Sequence, residues 1–509
     1  PSLQGQHQTA SLAPQMSSNA KPTGCLPGKR SKAKLAFEES LPPIQREGPV
    51  DMSLPPGSKV AVVGAGVAGL QMGTALMEVG FKPVIFEASG DIGGVWREHY
   101  PGYHAQAPVE HYQFADFPYT KFNELARPGE IEKKWTDGYF APGTELTRYI
   151  DMYVESIPGL AASIRFHAKV TKVAPSGYRW MVTSKSQQSG EERTELFAAV
   201  VWSVGEYCVP QEPKFKGMDA FKGRIIHSSK LLDPSVFQGK RTVVIGSGKS
   251  AADCTKAATK YGATTTAIVM RTPRWTFPRY VLGFIPFKYF AFSRAGYMMI
   301  PPAYLRMGGF FRSLREGRLL RAFCSFKEGL LWPLLWLYWR LVEFILIVQL
   351  ELWGAVPPNS IEDDIASAGG QALSESLTKA VRRGELTRYV GAGIDHLEAD
   401  TVHLTDGRVV PADLIVCATG FTKDYTPLNT IVPYLQRMDD GLYLYKQIFH
   451  PAVPRLFFVG SEVSTFNNIL TSFLQAQAAA AVMSSRLQLP DANTIWSEME
   501  HHKAWSKQA

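Results

Sequence analysis

Two glycine-rich turns constrain this 509-residue chain more than any other feature. The first lies in KVAVVGAGVAGL, a buried apolar run entering the turn Gly64-Ala65-Gly66-Val67-Ala68-Gly69. A short continuous apolar run before such a turn reads as a parallel strand buried on both faces and feeding a helix. Gly64 permits the tight bend, Gly66 lets the backbone approach a pyrophosphate, and Gly69 lets the helix close on the strand. The helix N-terminus then offers free N–H groups and a positive dipole end to phosphate. In the next strand, KPVIFEAS, Glu87 stands at the end, eighteen residues beyond Gly69. A carboxylate there accepts both ribose hydroxyls of an adenosine. Glycines alone are a weak signal; strand, turn, helix, strand and acid in register are a strong one.

The second unit, KRTVVIGSGKSAADCTKAATKYGATTTAIVMRT, carries Gly246 and Gly248, with Ala251 at the third glycine position. Its following strand ends on Arg271 and Thr272 instead of an acid. An acid would repel a 2′-phosphate, whereas arginine accepts one in a bidentate fork. Lys249 adds a second positive charge, and Ser250 stands beside it at the start of the helix. This site therefore favours NADP over NAD. Two dinucleotide sites in one chain point to FAD held at the first and NADPH exchanged at the second, with hydride passing between them. Later buried strands, ADLIVCATGF and RLFFVGSE, extend the alternation. The fold expected is α/β, with two doubly wound, Rossmann-like dinucleotide-binding domains and a helical apolar insertion. Residues 1–55 read as a disordered basic tail or transit segment. Residues 56–210 read as the first part of the FAD domain. Residues 211–416 read as the NADPH domain, containing the insertion at 280–360. Residues 417–488 return to the FAD domain, and 489–509 form a tail.

Charge refines the choice of partner. The total is +8, from 54 basic and 46 acidic residues. Residues 1–37 carry five basic residues and no acid, and residues 271–327 carry eleven basic residues against Glu316 alone, so the rest of the chain is left at −7. The chain as a whole is not a polyanion binder, and nucleic acid ranks last among the partners considered. No apolar h-region follows the N-terminal charges, which argues against a secretory signal and leaves an organellar transit peptide or a plain extension. Five scattered cysteines without a C-x-x-C argue against a disulfide scaffold and for a reducing, intracellular setting, cytoplasmic or organellar. Residues 280–353 are aromatic, leucine-rich and dotted with arginine. Their longest apolar run, Gly329 to Trp339, contains Pro333 and stops at Arg340, with Glu343 soon after, short of a spanning helix. Two readings stay open for them: a peripheral membrane contact with basic residues at headgroups, or a buried helical hairpin.

Between the two glycine units lies GGVWREHYPGYHAQAPVEHYQFADFP, Gly93 to Pro118. This run resembles the flavin-containing monooxygenases and their Baeyer–Villiger relatives, in which G-G-x-W follows the ribose acid. The resemblance continues through Phe221-Lys222-Gly223-Arg224-Ile225-Ile226-His227, similar to F-x-G-x-x-x-H, and through Ala418-Thr419-Gly420-Phe421. It covers about Ser58 to Leu487 and looks most like the plant-type branch, which shares the run Arg271 to Pro278. The resemblance implies that Gly94, Val95 and Trp96 cover the flavin, that Val170 holds adenine through backbone groups, and that Ser203 opens the first interdomain crossing. It likewise makes Asn467, Asn468 and Gln475 candidate flavin or substrate neighbours. The activity it implies is NADPH-dependent reduction of FAD, formation of a flavin C4a-hydroperoxide with O₂, and transfer of one oxygen atom to a small soft nucleophile.

Two departures qualify the match. Gln106 stands where animal-type members carry Asn and Baeyer–Villiger members carry Asp. Its amide can donate and accept near the flavin, or it can stabilise a turn. His227 is followed by Ser228-Ser229-Lys230-Leu231-Leu232, with Leu231-Leu232 where the ketone-oxidising pattern expects Trp-Pro. His227 reads either as an acid–base group or as a hinge residue satisfying backbone groups. Baeyer–Villiger oxygenation, a peroxide-releasing NADPH oxidase and a membrane-associated non-catalytic flavoprotein remain as alternatives.

Overall fold

A computed structural model describes residues 50–97, 99–291, 332–366, 371–373, 380–431, 435, 442–461 and 468–506, all within the compact unit Gln45–Ala509. The basic tail as far as residue 49, the middle of the insertion at 292–331, and Asn467 lie outside the described residues.

Alternating buried strands and helices assemble two five-stranded parallel sheets. The first has the order Leu456–Phe458, Ala199–Trp202, Lys59–Val63, Lys82–Phe86, Ile164–Arg165. Its central strand is buried on both faces at Val60, Ala61 and Val62, as the unbroken apolar run requires. The second has the order Leu386–Val390, Thr265–Met270, Arg241–Ile245, Leu414–Cys417, Arg224–His227. Both glycine turns follow central strands of their sheets. A three-stranded antiparallel meander accompanies each sheet: Ala168–Ser176, Arg179–Ser186 and Glu192–Phe197 for the first, Ile394–Leu397, Thr401–Leu404 and Val409–Pro411 for the second.

The chain leaves the first sheet and later returns to it. The outgoing segment Val209–Pro210 and the returning segment Phe421–Thr422 pair antiparallel, so the two crossings run side by side. Leu456–Phe458 then adds to the edge of the first sheet beside Ala199–Trp202. The helix Asn468–Met483 packs on the first glycine helix, Val67–Glu78. The Gln71 side chain ties the two by donating to Ile469 O (3.0 Å) and accepting from Ser472 Oγ (2.6 Å).

The insertion differs from its sequence reading in one respect. Pro333 and Arg340 were expected to interrupt the apolar run, yet Trp332–Leu350 is one continuous 19-residue helix, long and apolar enough by length and composition to cross a membrane. Pro333 falls in the first turn, where its missing N–H costs no hydrogen bond. Arg340 ion-pairs with Glu343 one turn on (3.0 Å) and with Glu362 of the helix Ile361–Ala366. One stripe, Trp339, Leu346 and Leu350, is buried against Trp275, Phe277, Val281, Phe287 and Ile361. The opposite stripe, Leu334, Trp336, Leu337, Leu341, Phe344 and Val348, is exposed.

Candidate functional site

The first turn has the shape of a dinucleotide cradle. Gly64 adopts φ +104°, and a Cβ there would lie 2.7 Å from Ser203 O. A Cβ on Gly69 would lie 1.9 Å from Gly64 O, so helix and turn touch only because both positions are glycine. Above Gly66 nothing comes within 4 Å of an added Cβ. Gly66 also caps the helix without any side-chain hydrogen bond, leaving first-turn N–H groups directed at that space. Gly93 N–H donates to Ala65 O (3.0 Å), and Gly94 stands against Gly66 (3.5 Å from an added Cβ), so the segment that starts at Gly93 folds over the turn. Gly94 and Val95 are exposed, while Trp96 is buried edge-on against Tyr103 and Tyr112.

Glu87 lies just past Lys82–Phe86 with its carboxylate at the turn. Oε2 accepts from Ala65 N–H (2.7 Å), and Oε1 accepts from Ser89 N–H (2.8 Å) and Ser89 Oγ (2.9 Å). Ala168 N–H donates to Glu87 O (2.7 Å), which brings the strand of Val170 alongside. Val170 is buried and sits at a register shift between Val170 and Lys172, where a bulge loosens the ladder. Ser203, at the end of Ala199–Trp202, is buried, and its hydroxyl has no hydrogen-bond partner. An orphaned buried hydroxyl beside an open cradle fits a bound polar ligand.

The second turn repeats the geometry with different chemistry. Gly246 adopts φ +138°, and a Cβ there would meet Ala418 O at 2.3 Å. Gly248 caps the helix Lys249–Lys260 without a side-chain bond. Arg271 and Thr272 are exposed at the end of Thr265–Met270, and the Arg271 stem lies along Gly393 (3.5 Å from an added Cβ). Lys249 does not extend toward that rim. Its ammonium bonds Asp253 one turn along the same helix, and both side chains are nearly buried. Arg271 is the exposed cation at the end of Thr265–Met270.

The region between the turns holds groups that sequence reasoning did not single out. Tyr100, from the Gly93–Pro118 run, is buried and donates to Asp253 Oδ2 (3.1 Å), while the Ser250 hydroxyl bonds its phenol. Burial, with the Asp253 charge second, pushes the Tyr100 hydroxyl far above its ordinary range, so it acts only as a neutral donor. Lys249 lies over the Tyr103 ring (5.7 Å). Asp253, Tyr100 and Ser250 thus join the first site's covering segment to the second site's helix. The K-x-x-x-D spacing of Lys249 and Asp253 was the available signal, since residues four apart on a helix meet. Gln106 is half-buried, and its backbone N–H donates to the Tyr112 hydroxyl, which fixes the loop; its side-chain amide makes no hydrogen bond among the described residues.

His227 ends Arg224–His227 and is 2% exposed. Its Nδ1 accepts from Ser229 N–H (3.2 Å) and meets Ser229 Oγ (2.8 Å), and its Nε2 donates to Gly420 O (3.1 Å). Burial lowers its pKa, so the ring is neutral near pH 7. Nε2 holds the returning crossing at Gly420 while Nδ1 caps the turn that follows His227, the geometry of a hinge residue. Gln475 accepts from Gly460 N–H (2.9 Å), an added Cβ on Gly460 would touch Ala68 (2.3 Å), and Asn468 opens the C-terminal helix. The C-terminal V-G-S stretch therefore also reaches the first turn.

Residues 57–303 match the family model described as flavin-binding monooxygenase-like. A curated relative, "Probable flavin-containing monooxygenase 1" of Arabidopsis thaliana, is 28% identical over 475 residues, covering 85% of this chain and 83% of its own length. The chain is similar to the flavin-containing monooxygenases over most of its length. Among solved structures, the chain shares its fold with S-allyl-L-cysteine S-oxygenase from Allium sativum (TM-score 0.55, 21% identity, 88% of this chain and 82% of that one). It also shares it with OTEMO in complex with FAD and NADP (TM-score 0.61, 18% identity, 85% and 86%). In this chain the groups most visible in the sequence, Glu87 and Arg271, lie at strand ends beside their own turns. Tyr100, Asp253 and the Gly420 carbonyl act between segments far apart in the chain.

Proposed function

We propose that this chain is an NADPH-dependent flavoprotein monooxygenase acting on a small soft-nucleophile substrate, an amine nitrogen or a sulfide sulfur. The observation that carries the reading is the pair of glycine cradles with opposite rims, Glu87 at one and Arg271 at the other, linked through Tyr100 and Asp253. FAD fits the first cradle. Gly64, Gly66 and Gly69 would admit its pyrophosphate, Glu87 its ribose and the Val170 backbone its adenine, with Ser203, Gly94, Val95, Trp96 and Gln106 around the rest. NADPH fits the second, with Gly246, Gly248 and Ser250 at the pyrophosphate and Arg271 and Thr272 at the 2′-phosphate. Bound there, FAD supplies the electron acceptor for hydride and the centre at which O₂ is activated. The balance is two electrons from NADPH, one oxygen atom to the substrate and the other to water.

The protein's own part is to bind, orient and exclude water. Trp96, wedged between Tyr103 and Tyr112, keeps the covering segment rigid. Gln106 offers an unengaged amide from that segment. His227 is a positioning residue, holding the Gly420 crossing. Leu231, buried in the core of the second sheet, occupies a position where the ketone-oxidising pattern carries Trp, which favours soft-nucleophile oxygenation over ketone oxidation. The relative named as an S-oxygenase points the same way. The exposed stripe of Trp332–Leu350 and the +10 charge of residues 271–327 support a peripheral contact with an anionic membrane in an intracellular setting. Co-sedimentation with anionic and neutral vesicles tests that contact.

The test of the activity is reconstitution with FAD, followed by NADPH consumption and product analysis with an amine, a sulfide and a ketone together. Substrate-dependent NADPH use with an N-oxide or sulfoxide product is expected. Protein that takes up no FAD, or that makes only the ester, overturns the reading.

A further inference from the structure

The meander of the second sheet carries chemistry that the cofactor sites do not use. Its first hairpin pairs Ile394–Leu397 with Thr401–Leu404, and the register sets His396 directly opposite His403. An irregularity between Ile394 and His396 produces that match. The two imidazoles lie face to face, with centroids 4.3 Å apart and planes 15° from parallel. Glu398, just past the first strand, sends its carboxylate to both: Oε1 lies 3.7 Å from His396 Nε2, and Oε2 lies 3.3 Å from His403 Nε2. One donor atom from each of the three side chains falls within 4.8 Å of the others.

We propose that His396, Glu398 and His403 form a binding site for a divalent transition-metal ion, with Zn²⁺ the fitting cation, at the tip of this hairpin. Ligands about 2.0–2.2 Å from a tetrahedral Zn²⁺ stand roughly 3.4 Å from one another, and the three donor atoms, all within 4.8 Å of one another, reach that spacing by modest rotations of partly exposed side chains. The donor set selects the metal class: two imidazoles and one carboxylate suit Zn²⁺ and its neighbours, while Mg²⁺ and Ca²⁺ require oxygen ligands.

A second, independent contact points the same way. Asp395 Oδ2 lies 2.8 Å from His396 Nδ1, a carboxylate–histidine pair that puts the proton on Nδ1 and leaves the Nε2 lone pair for a metal. The Thr401 hydroxyl lies 3.2 Å from His403 Nε2 and is the contact a metal would replace. The neighbourhood is anionic at close range, with Asp395 and Glu398 both largely exposed. The hairpin is fastened to the chain that leads out of the first crossing. Leu397 N–H donates to Lys216 O (2.8 Å), and a Cβ on Gly217 would meet Leu397 O at 2.1 Å. The metal would pin hairpin and crossing segment as a structural clamp. It would not serve the oxidation, whose groups lie at the glycine turns.

The experiment is Zn²⁺ titration of the untagged, FAD-loaded protein by calorimetry, beside His396→Ala, His403→Ala and Glu398→Gln, with flavin content and circular dichroism as folding controls. Saturable binding at one ion per chain is expected, weakened by about 10-fold or more in each variant, with no heat from Mg²⁺. Co²⁺ in place of Zn²⁺ should give the visible bands of a tetrahedral site in the parent protein and lose them in the variants. Binding that is unchanged in the folded variants, or absent in the parent, overturns the proposal. Because the cofactor turns are untouched, NADPH oxidation should persist in all three variants, so failure here is separable from failure of the monooxygenase reading.

Discussion

At the residue scale, the glycine turns separate what the backbone requires from what a ligand requires. Gly69 has no room for a Cβ, whereas Gly66 faces open space with φ −71°. Gly69→Ala should therefore lower stability by about 3 kcal/mol and abolish FAD retention, since overpacking against backbone cannot relax. Gly66→Ala should leave the melting temperature of the flavin-free protein unchanged while weakening FAD uptake. Flavin-to-protein ratios and thermal melts of both variants measure this contrast. Arg271 is exposed, so Arg271→Ala should leave stability within about 0.5 kcal/mol. It should lower kcat/KM for NADPH roughly 10- to 100-fold, the worth of a charge-assisted phosphate contact, and leave NADH use little changed. Steady-state kinetics with both nucleotides decide it. Glu87 and Arg271 were legible because each closes a strand directly after its turn. Lys249 reads from the sequence as a cofactor contact, and in the structure its ammonium pairs with Asp253, four residues on along the same helix.

At the element scale, the insertion helix shows how a run that looks broken becomes continuous. The charge of Arg340 is answered by Glu343 and Glu362, whose side chains are only 13% and 7% exposed. Arg340→Leu removes the cation and strands both carboxylates, so it should destabilise the protein by about 3 kcal/mol in urea unfolding at pH 7. Part of that loss should be recovered when Glu362 is changed to Gln in the same chain, because the penalty is chiefly the unpaired charge and not the missing side-chain volume. The helix itself could be read as apolar from composition. Its continuity could not, because Glu362 approaches Arg340 only after the helix Ile361–Ala366 folds back.

At the scale of the whole molecule, two parallel sheets communicate through paired crossings and one histidine. His227→Ala removes the bond to Gly420 O and should loosen the placement of one cofactor half against the other. Product formed per NADPH should then fall roughly 10-fold, with peroxide rising in its place, while flavin content stays unchanged. His227→Gln, whose amide can donate to the same carbonyl, should restore part of the coupling, an outcome a purely space-filling role would not give. Sequence alone determined the two strand–turn–helix units, their rims at Glu87 and Arg271 and the α/β class, because each of these is written in contiguous residues whose spacing dictates local geometry. Only the tertiary structure decided that Leu456–Phe458 takes the edge beside Ala199–Trp202, that Tyr100 meets Asp253, that His227 bonds the Gly420 carbonyl and that His396 faces His403. Those contacts depend on strand order and register between distant segments. Long-range packing selects them, and no local pattern of residues carries it.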